Sequence, residues 1–182
     1  VELPMLLTAL VLSALFLSLE RITYYAVANH PERWHALCQR PPLAALGPPV
    51  DVVHKLFYGF KAIQAVVFLG WCVMMAGTWL PVSSAGPLML GAGAALVGVG
   101  LFLNASVFAR LGRVGVFYGG ELGHQVPWIE GFPFSVLKHP QYIGALALIW
   151  GFFIIMRYPH PDWFYLPVLE TALYLWGARH EP

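Results

Sequence analysis

Two long apolar runs constrain this chain more than any other feature. One extends from about Leu56 to Gly77 and the other from Pro87 to Phe108. Each is long enough to cross a hydrocarbon core of about 30 Å, which takes about 20 helical residues. Within such a core only helices or closed barrels satisfy their backbone polar groups. Continuous apolar runs lack the alternation of barrel strands, so the expected fold is an all-α integral membrane protein. Composition agrees, with 59% hydrophobic residues and only 10 Lys+Arg and 9 Asp+Glu among 182. An average soluble domain is about 25% charged. The apolar content excludes a disordered chain. A formal net charge of +1 excludes a strongly basic nucleic-acid binder.

Three further apolar runs bring the expected spans to about five. They are Leu3 to Leu19, Tyr142 to Met156 and Trp163 to Ala178. The first has no cationic leader and no small-residue cleavage site, so it reads as a membrane helix and not a signal peptide. The last two are separated by Arg157-Tyr-Pro-His-Pro-Asp162. Two prolines make this a tight turn and predict a helical hairpin, tilted or incompletely spanning. The chain reads as one membrane domain over residues 1–182. Residues 1–86 carry the first two helices, and residues 87–182 carry the richer motifs. Cys38 and Cys72 form no disulfide framework or zinc pattern.

The basic residues predict an orientation. Arg21, Arg33, Arg40, Lys55 and Lys61 flank or fill the first connection; Arg110, Arg113 and Lys138 lie in the third, and Arg179 follows the last run. Arg157 alone falls on the other side, and Thr78 to Gly86 carries no charge. The N-terminus is therefore expected outside, with both long loops and the C-terminus in the cytosol.

Several residues on that cytosolic side suit chemistry. Gly98-Val99-Gly100 lies in the third run. It serves close helix packing or the approach of a ligand to bare backbone. Asn104, one turn on, suits an interhelical bond or a ligand. The loop Gly119 to Phe134 is rich in Gly, Pro and aromatic residues and bears Glu121, His124 and Glu130. It is either an interfacial anchor or a lid whose aromatic faces suit a quaternary ammonium. Arg110, Arg113 and Lys138 are positive-inside residues or partners of a lipid phosphate. Pro140 suits the first position of a helix, whose free N–H groups at His139 favour an anion. Glu170, an acid at membrane depth, is functional or structurally paired, for example with Asn104. Lys61 is expected to snorkel to the cytosolic surface. The histidines show no metal-ligand spacing, and no metal is assigned.

Taken together, Gly98-Val-Gly100, Leu111-Gly-Arg-Val-Gly-Val-Phe-Tyr118, Pro127-Trp-Ile-Glu-Gly-Phe-Pro-Phe134, His139-Pro-Gln-Tyr-Ile-Gly144 and His180-Glu-Pro182 resemble the phosphatidylethanolamine N-methyltransferases. These belong with the isoprenylcysteine methyltransferase-like membrane enzymes. The resemblance covers roughly Leu96 to Pro182, and its Val-Pro-Trp form is similar to plant and algal members. It implies methyl transfer from S-adenosylmethionine to phosphatidylethanolamine or its mono- and dimethyl derivatives, drawn from the bilayer. In a eukaryote the membrane would be the endoplasmic reticulum. It further implies cofactor binding by Gly98, Val99, Gly100, His139, Pro140, Tyr142, Gly144, His180 and Glu181. The family has a Glu-Glu pair where this chain has His180-Glu181, so only the second glutamate matches. On the substrate side the expectation falls on Arg113, Tyr118, Trp128, Phe132, Phe134 and Glu170.

Such a transfer needs a neutral amine aligned with the methyl carbon, and positioning supplies much of the rate. A primary ammonium has a pKa of around 10, so a base or a desolvating pocket must remove a proton. His124, Glu121 and Glu181 are the expected catalytic residues. His124 ranks first because imidazoles as a class titrate nearest neutrality. The alternatives are an isoprenylcysteine or small-substrate methyltransferase, against which the Phe-Pro-Phe segment argues, and a transporter or scaffold. The chain lacks the internal repeats a transporter would prefer.

Overall fold

The structure is a computed structural model that describes residues 2–180. The described residues form helices and connections, with no strand among them. In chain order the helices are α1 (Leu3–Asn29), α2 (Pro31–Cys38), α3 (Pro49–Ala76), α4 (Pro87–Val116), α5 (Pro140–Arg157) and α6 (Tyr165–His180), with a 3-10 turn at Leu43–Leu46. Helices α1 to α5 all begin with proline at their first or second position. A proline there loses no helical hydrogen bond and presets φ. Helix α3 stops at Gly77, whose φ of +67° is the left-handed closing conformation glycine permits.

Four helices, α1, α3, α4 and α5, are long and apolar enough to cross a membrane. The fifth expected span, α6, has 16 residues. At 1.5 Å per residue it reaches about 24 Å, short of a ~30 Å core. The expected hairpin is present as α5 and α6, which pack on each other. Arg157 closes their connection by donating to Asp162 from Nε at 2.8 Å and from Nη2 at 2.6 Å. Trp71 Nε1 of α3 donates to the same carboxylate at 3.2 Å. The α3–α4 connection lies at this end too, since Ser84 Oγ donates to the Tyr158 carbonyl at 2.9 Å.

Helix boundaries differ from the hydropathy reading where polar residues continue a helix. Helix α1 runs ten residues past Leu19, carrying Glu20 and Arg21 inside it. Helix α3 starts at Pro49 and not at Leu56, because Asp51, His54 and Lys55 extend its first turns. Short α2 is hidden in hydropathy because it is too polar to register as a span. Helix α4 continues past Phe108 to Val116 through a kink at Gly112, where φ is +63°.

Helices α4 and α5 pack most closely, backbone against backbone and antiparallel. Gly93 and Gly100 of α4 face Gly151 and Gly144 of α5. Each pair recurs every two turns, so it stays on one face. A Cβ on Gly151 would fall 2.7 Å from the Gly93 carbonyl oxygen. Small residues of this kind let membrane helices approach and gain dispersion contacts that lipid cannot supply. Helix α1 packs against α3 and α6 on the other side. Between these two groups the interior stays open.

Candidate active site

Helix α1 buries one stripe, Ser13, Leu17, Glu20, Arg21, Tyr24 and Val27. Three- and four-residue steps put these on one helical face. Glu20, Arg21 and Tyr24 of that stripe, with residues of α3, α4, α5, Tyr174 of α6 and the loop after α4, wall a cavity of about 650 Å³. Ligand pockets run from roughly 300 to 1,000 Å³.

A buried polar chain crosses the inner wall. Glu20 Oε1 accepts from Arg21 Nη2 at 3.0 Å and from Lys61 Nζ at 3.1 Å. Lys61 also donates to the Gln64 side-chain oxygen at 3.2 Å. Gln64 Nε2 in turn donates to Glu170 Oε1. The Arg21 guanidinium lies 4.2, 5.0 and 5.2 Å from the ring centroids of Tyr174, Tyr24 and Tyr142. Ring faces stabilise a desolvated cation. Its Nη2 is paired with Glu20, while Nη1 is buried with no hydrogen-bond partner among the described residues. Lys61 thus points inward to Glu20, which corrects the expected snorkelling to the surface. Arg21 likewise belongs to the interior and not to the first connection. Glu170 is paired structurally, but with Gln64; Asn104 instead donates from Nδ2 to the Gly100 carbonyl at 3.0 Å.

The outer wall comes from the loop and the start of α5. Tyr118, Glu121, Phe134, Lys138, His139, Pro140 and Tyr142 all line the cavity. His139 caps α5, whose second-turn N–H of Ile143 bonds its carbonyl at 3.1 Å, and its ring stacks on Tyr142. Tyr142 meets Tyr174 edge to face at 5.1 Å. Motif residues of the loop and of α5 therefore converge with a cluster on α1 and α3.

Other expected residues stand elsewhere. Gly98 faces open space and Val99 is half exposed, and neither lines the cavity. Gly100 and Gly144 are packed against each other. His124 opens onto a separate shallow cleft with Gly120, Gln125, Val126 and Pro127. Arg113 pairs with Asp51 of α3 at 3.1 Å. Trp128 is 89% exposed, and Phe132 packs on Phe102 with ring centroids 5.7 Å apart. Glu170 is buried one step behind the wall through Gln64. His180 lies at the end of α6 with its ring on Trp176 and its carbonyl accepting from Asn29 at 2.8 Å. Glu181 falls outside the described residues. Among those described, no three His, Cys, Asp or Glu side chains gather as metal ligands.

Sequence reasoning passed over Tyr24, Gln64 and Tyr174, read Arg21 only as a charge flanking the first connection, and gave Glu20 no role. The signal was available. Charged residues inside apolar helices mark functional interiors, and residues 17, 20, 21, 24 and 27 follow one helical face.

These features define a helical membrane protein whose interior holds a mainly apolar cavity with a charged cluster on its wall. More narrowly, the chain belongs to the phospholipid methyltransferase family, whose model matches residues 88–181. It is 29% identical over 123 residues to a phosphatidyl-N-methylethanolamine N-methyltransferase of Arabidopsis thaliana, covering 68% of this chain and 65% of that one. It is 32% identical over 96 residues to a phosphatidylethanolamine N-methyltransferase of Homo sapiens, covering 52% and 47%. The chain thus spans about half to two thirds of the length of these relatives. No solved structure matches it. A methyl donor of the adenosylmethionine kind fits the cavity's chemistry. Phe57, Phe108 and Phe134 offer apolar walls, Glu20 and Glu121 offer carboxylates, and Arg21 offers a buried unpaired donor.

Proposed function

We propose that this protein methylates the headgroup amine of phosphatidylethanolamine, or of its mono- and dimethyl derivatives, using S-adenosylmethionine. The observation that carries the reading is one cavity shared by His139, Pro140 and Tyr142 of the family motif, Glu121 of the loop, and the charged cluster on α1 and α3. When bound, the donor supplies an electrophilic sulfonium methyl group. The rest falls to this chain's residues. Apolar walls exclude water and so favour the neutral amine over the ammonium. Glu121 stands at the cavity and accepts the proton at its carboxylate, in place of His124, which opens on another cleft. His139, Pro140 and Tyr142 hold the donor, with Glu181 following α6. Gly98 and Val99 act indirectly, through the helix whose next turn packs on Gly144. Tyr118 and Phe134 hold the lipid headgroup; Arg113, Trp128 and Phe132 steady the loop at the membrane surface.

In this reading α6 completes a fifth crossing by tilting in a locally thinned bilayer. The N-terminus is then outside, and the cavity mouth and the end of α6 face the cytosol. In a eukaryotic cell the membrane is that of the endoplasmic reticulum. Donor reaches the site from the cytosol, and lipid enters sideways from the bilayer.

The test uses purified protein in nanodiscs with methyl-labelled S-adenosylmethionine. Phosphatidylethanolamine, its monomethyl and dimethyl forms, and a prenylcysteine are offered separately. Label in a methylated phospholipid, lost in Glu181→Ala, supports the reading and ranks the steps. Label in the prenylcysteine ester alone, or in nothing, refutes it.

A further inference from the structure

The Glu20–Arg21–Lys61 cluster is built like a seat awaiting an anion. Arg21 is 3% exposed, yet its Nη1 meets no hydrogen-bond partner among the described residues. A guanidinium is a rigid fork of donors suited to bidentate capture of a carboxylate or phosphate. Leaving one of its donors buried and unpaired costs stability that a ligand would return. The three tyrosine rings around Arg21 hold the fork in place without consuming donors. Glu20 is shared between Arg21 and Lys61, so neither cation has a carboxylate to itself. A further acid, Glu170, is linked to the cluster through Gln64. All of Glu20, Arg21, Lys61 and Gln64 line the cavity.

We propose that Arg21, supported by Lys61, binds the anionic oxygens of one of the two reactants at the inner end of the cavity. The chemistry is that of a monoanion presenting two oxygens. Two sources carry it: the phosphodiester of a phospholipid headgroup and the carboxylate of the methyl donor. The proposal deepens the function above, on which it rests for the identity of those reactants. It also gives the N-terminal helices a ligand-binding role, although the family match begins only at residue 88.

Equilibrium binding to the full chain in detergent micelles tests it, with two pairs of probes. One pair is S-adenosylhomocysteine and its decarboxylated form. The other is dihexanoyl phosphatidylethanolamine and dihexanoylglycerol. In one pair the wild type is expected to prefer the anionic probe by about tenfold or more, the size of a charge-assisted hydrogen bond. Arg21→Gln removes that preference and Lys61→Gln reduces it, while the anion-free probe binds as before. The pair that responds names the source. No preference in either pair, or preferences that survive both substitutions, overturns the seat. If Arg21→Gln does not fold, Lys61→Gln decides by the same criterion, since that side chain is 31% exposed and tolerates change. Methyl transfer is measured separately on the wild type. Transfer without anion dependence overturns the seat alone, and anion dependence without transfer overturns the function alone.

Discussion

Gly144 of α5 lies so near Gly100 of α4 that a Cβ built on it falls 3.0 Å from the Gly100 carbonyl oxygen. The same point is 2.9 Å from Asn104 Nδ2, which already donates to that oxygen. Gly100, the second glycine of Gly98-Val99-Gly100 in α4, therefore sits in a helix–helix seam. Its neighbour Gly98 faces open space. One motif thus holds two glycines under different physical constraints.

That contrast gives a stability prediction. Gly144→Ala must push α5 from α4, and overpacking of this kind costs about 1–3 kcal/mol. Gly98→Ala meets nothing and is expected to leave thermal unfolding in detergent unchanged. Should Gly98→Ala abolish donor binding at unchanged stability, Gly98 would touch the donor directly and the indirect role given it here would be wrong.

A second contrast concerns the proton. Glu121 lines the cavity and His124 does not. Loss of a general base typically costs about 100-fold or more in rate. Glu121→Gln is expected to show a loss of that order in kcat with KM for donor little changed, whereas His124→Ala keeps kcat within about twofold of wild type. Steady-state kinetics on the preferred lipid separates them. Equal losses in both variants would return His124 to the reaction.

The helical membrane class and most of the spans were legible because apolar length is a strong signal and proline marks helix starts. Pro140 at the head of α5 was read correctly for that reason. The ends were less legible. Glu20 and Arg21 ended the first apolar run, but a helix can carry charge onward when it is buried and paired, as theirs is. Motif reading located the outer wall of the cavity, including Tyr118, Glu121, Phe134, His139 and Tyr142. It left out the inner wall, since Arg21, Lys61 and Tyr174 come from three helices far apart in sequence. Their meeting depends on tertiary packing, which hydropathy does not encode.

The far end of the bundle has its own pH dependence. Burial pushes the Asp162 carboxyl up, but hydrogen bonding and charge from Arg157, with a further bond from Trp71, more than offset it. The group is held below its ordinary range. A carboxyl depressed on folding adds stability above its unfolded pKa, and that increment is lost as pH falls through the folded value. Thermal unfolding midpoints should therefore drop as pH is lowered below about 4. Asp162→Asn should lower the midpoint at neutral pH and flatten the acid decline. Removing one partner of a largely buried ion pair costs about 3 kcal/mol. An unchanged acid profile in Asp162→Asn would assign the decline to other carboxyls.

The final prediction concerns which ends share a side. The α3–α4 connection and the α5–α6 turn are tied by Ser84 and Tyr158, so Trp79 and Pro161 must lie on one side whatever the orientation. The loop after α4 lies at the other end of α4. The end of α6 is tied to the end of α1, where the His180 carbonyl accepts from Asn29, so Arg179 lies at that loop's end of the bundle and opposite Trp79. Cys38 and Cys72 are buried, so single cysteines can be read against a low background with a membrane-impermeant maleimide. In sealed inside-out vesicles, Gln125→Cys and Arg179→Cys are expected to label, while Trp79→Cys and Pro161→Cys label only after detergent is added. Arg179→Cys behaving like Trp79→Cys would reduce the crossings to four and move the end of α6, with Glu181, away from the cavity mouth. That outcome would also remove Glu181 from the donor site, so the labelling pattern bears on the chemistry as much as on the topology.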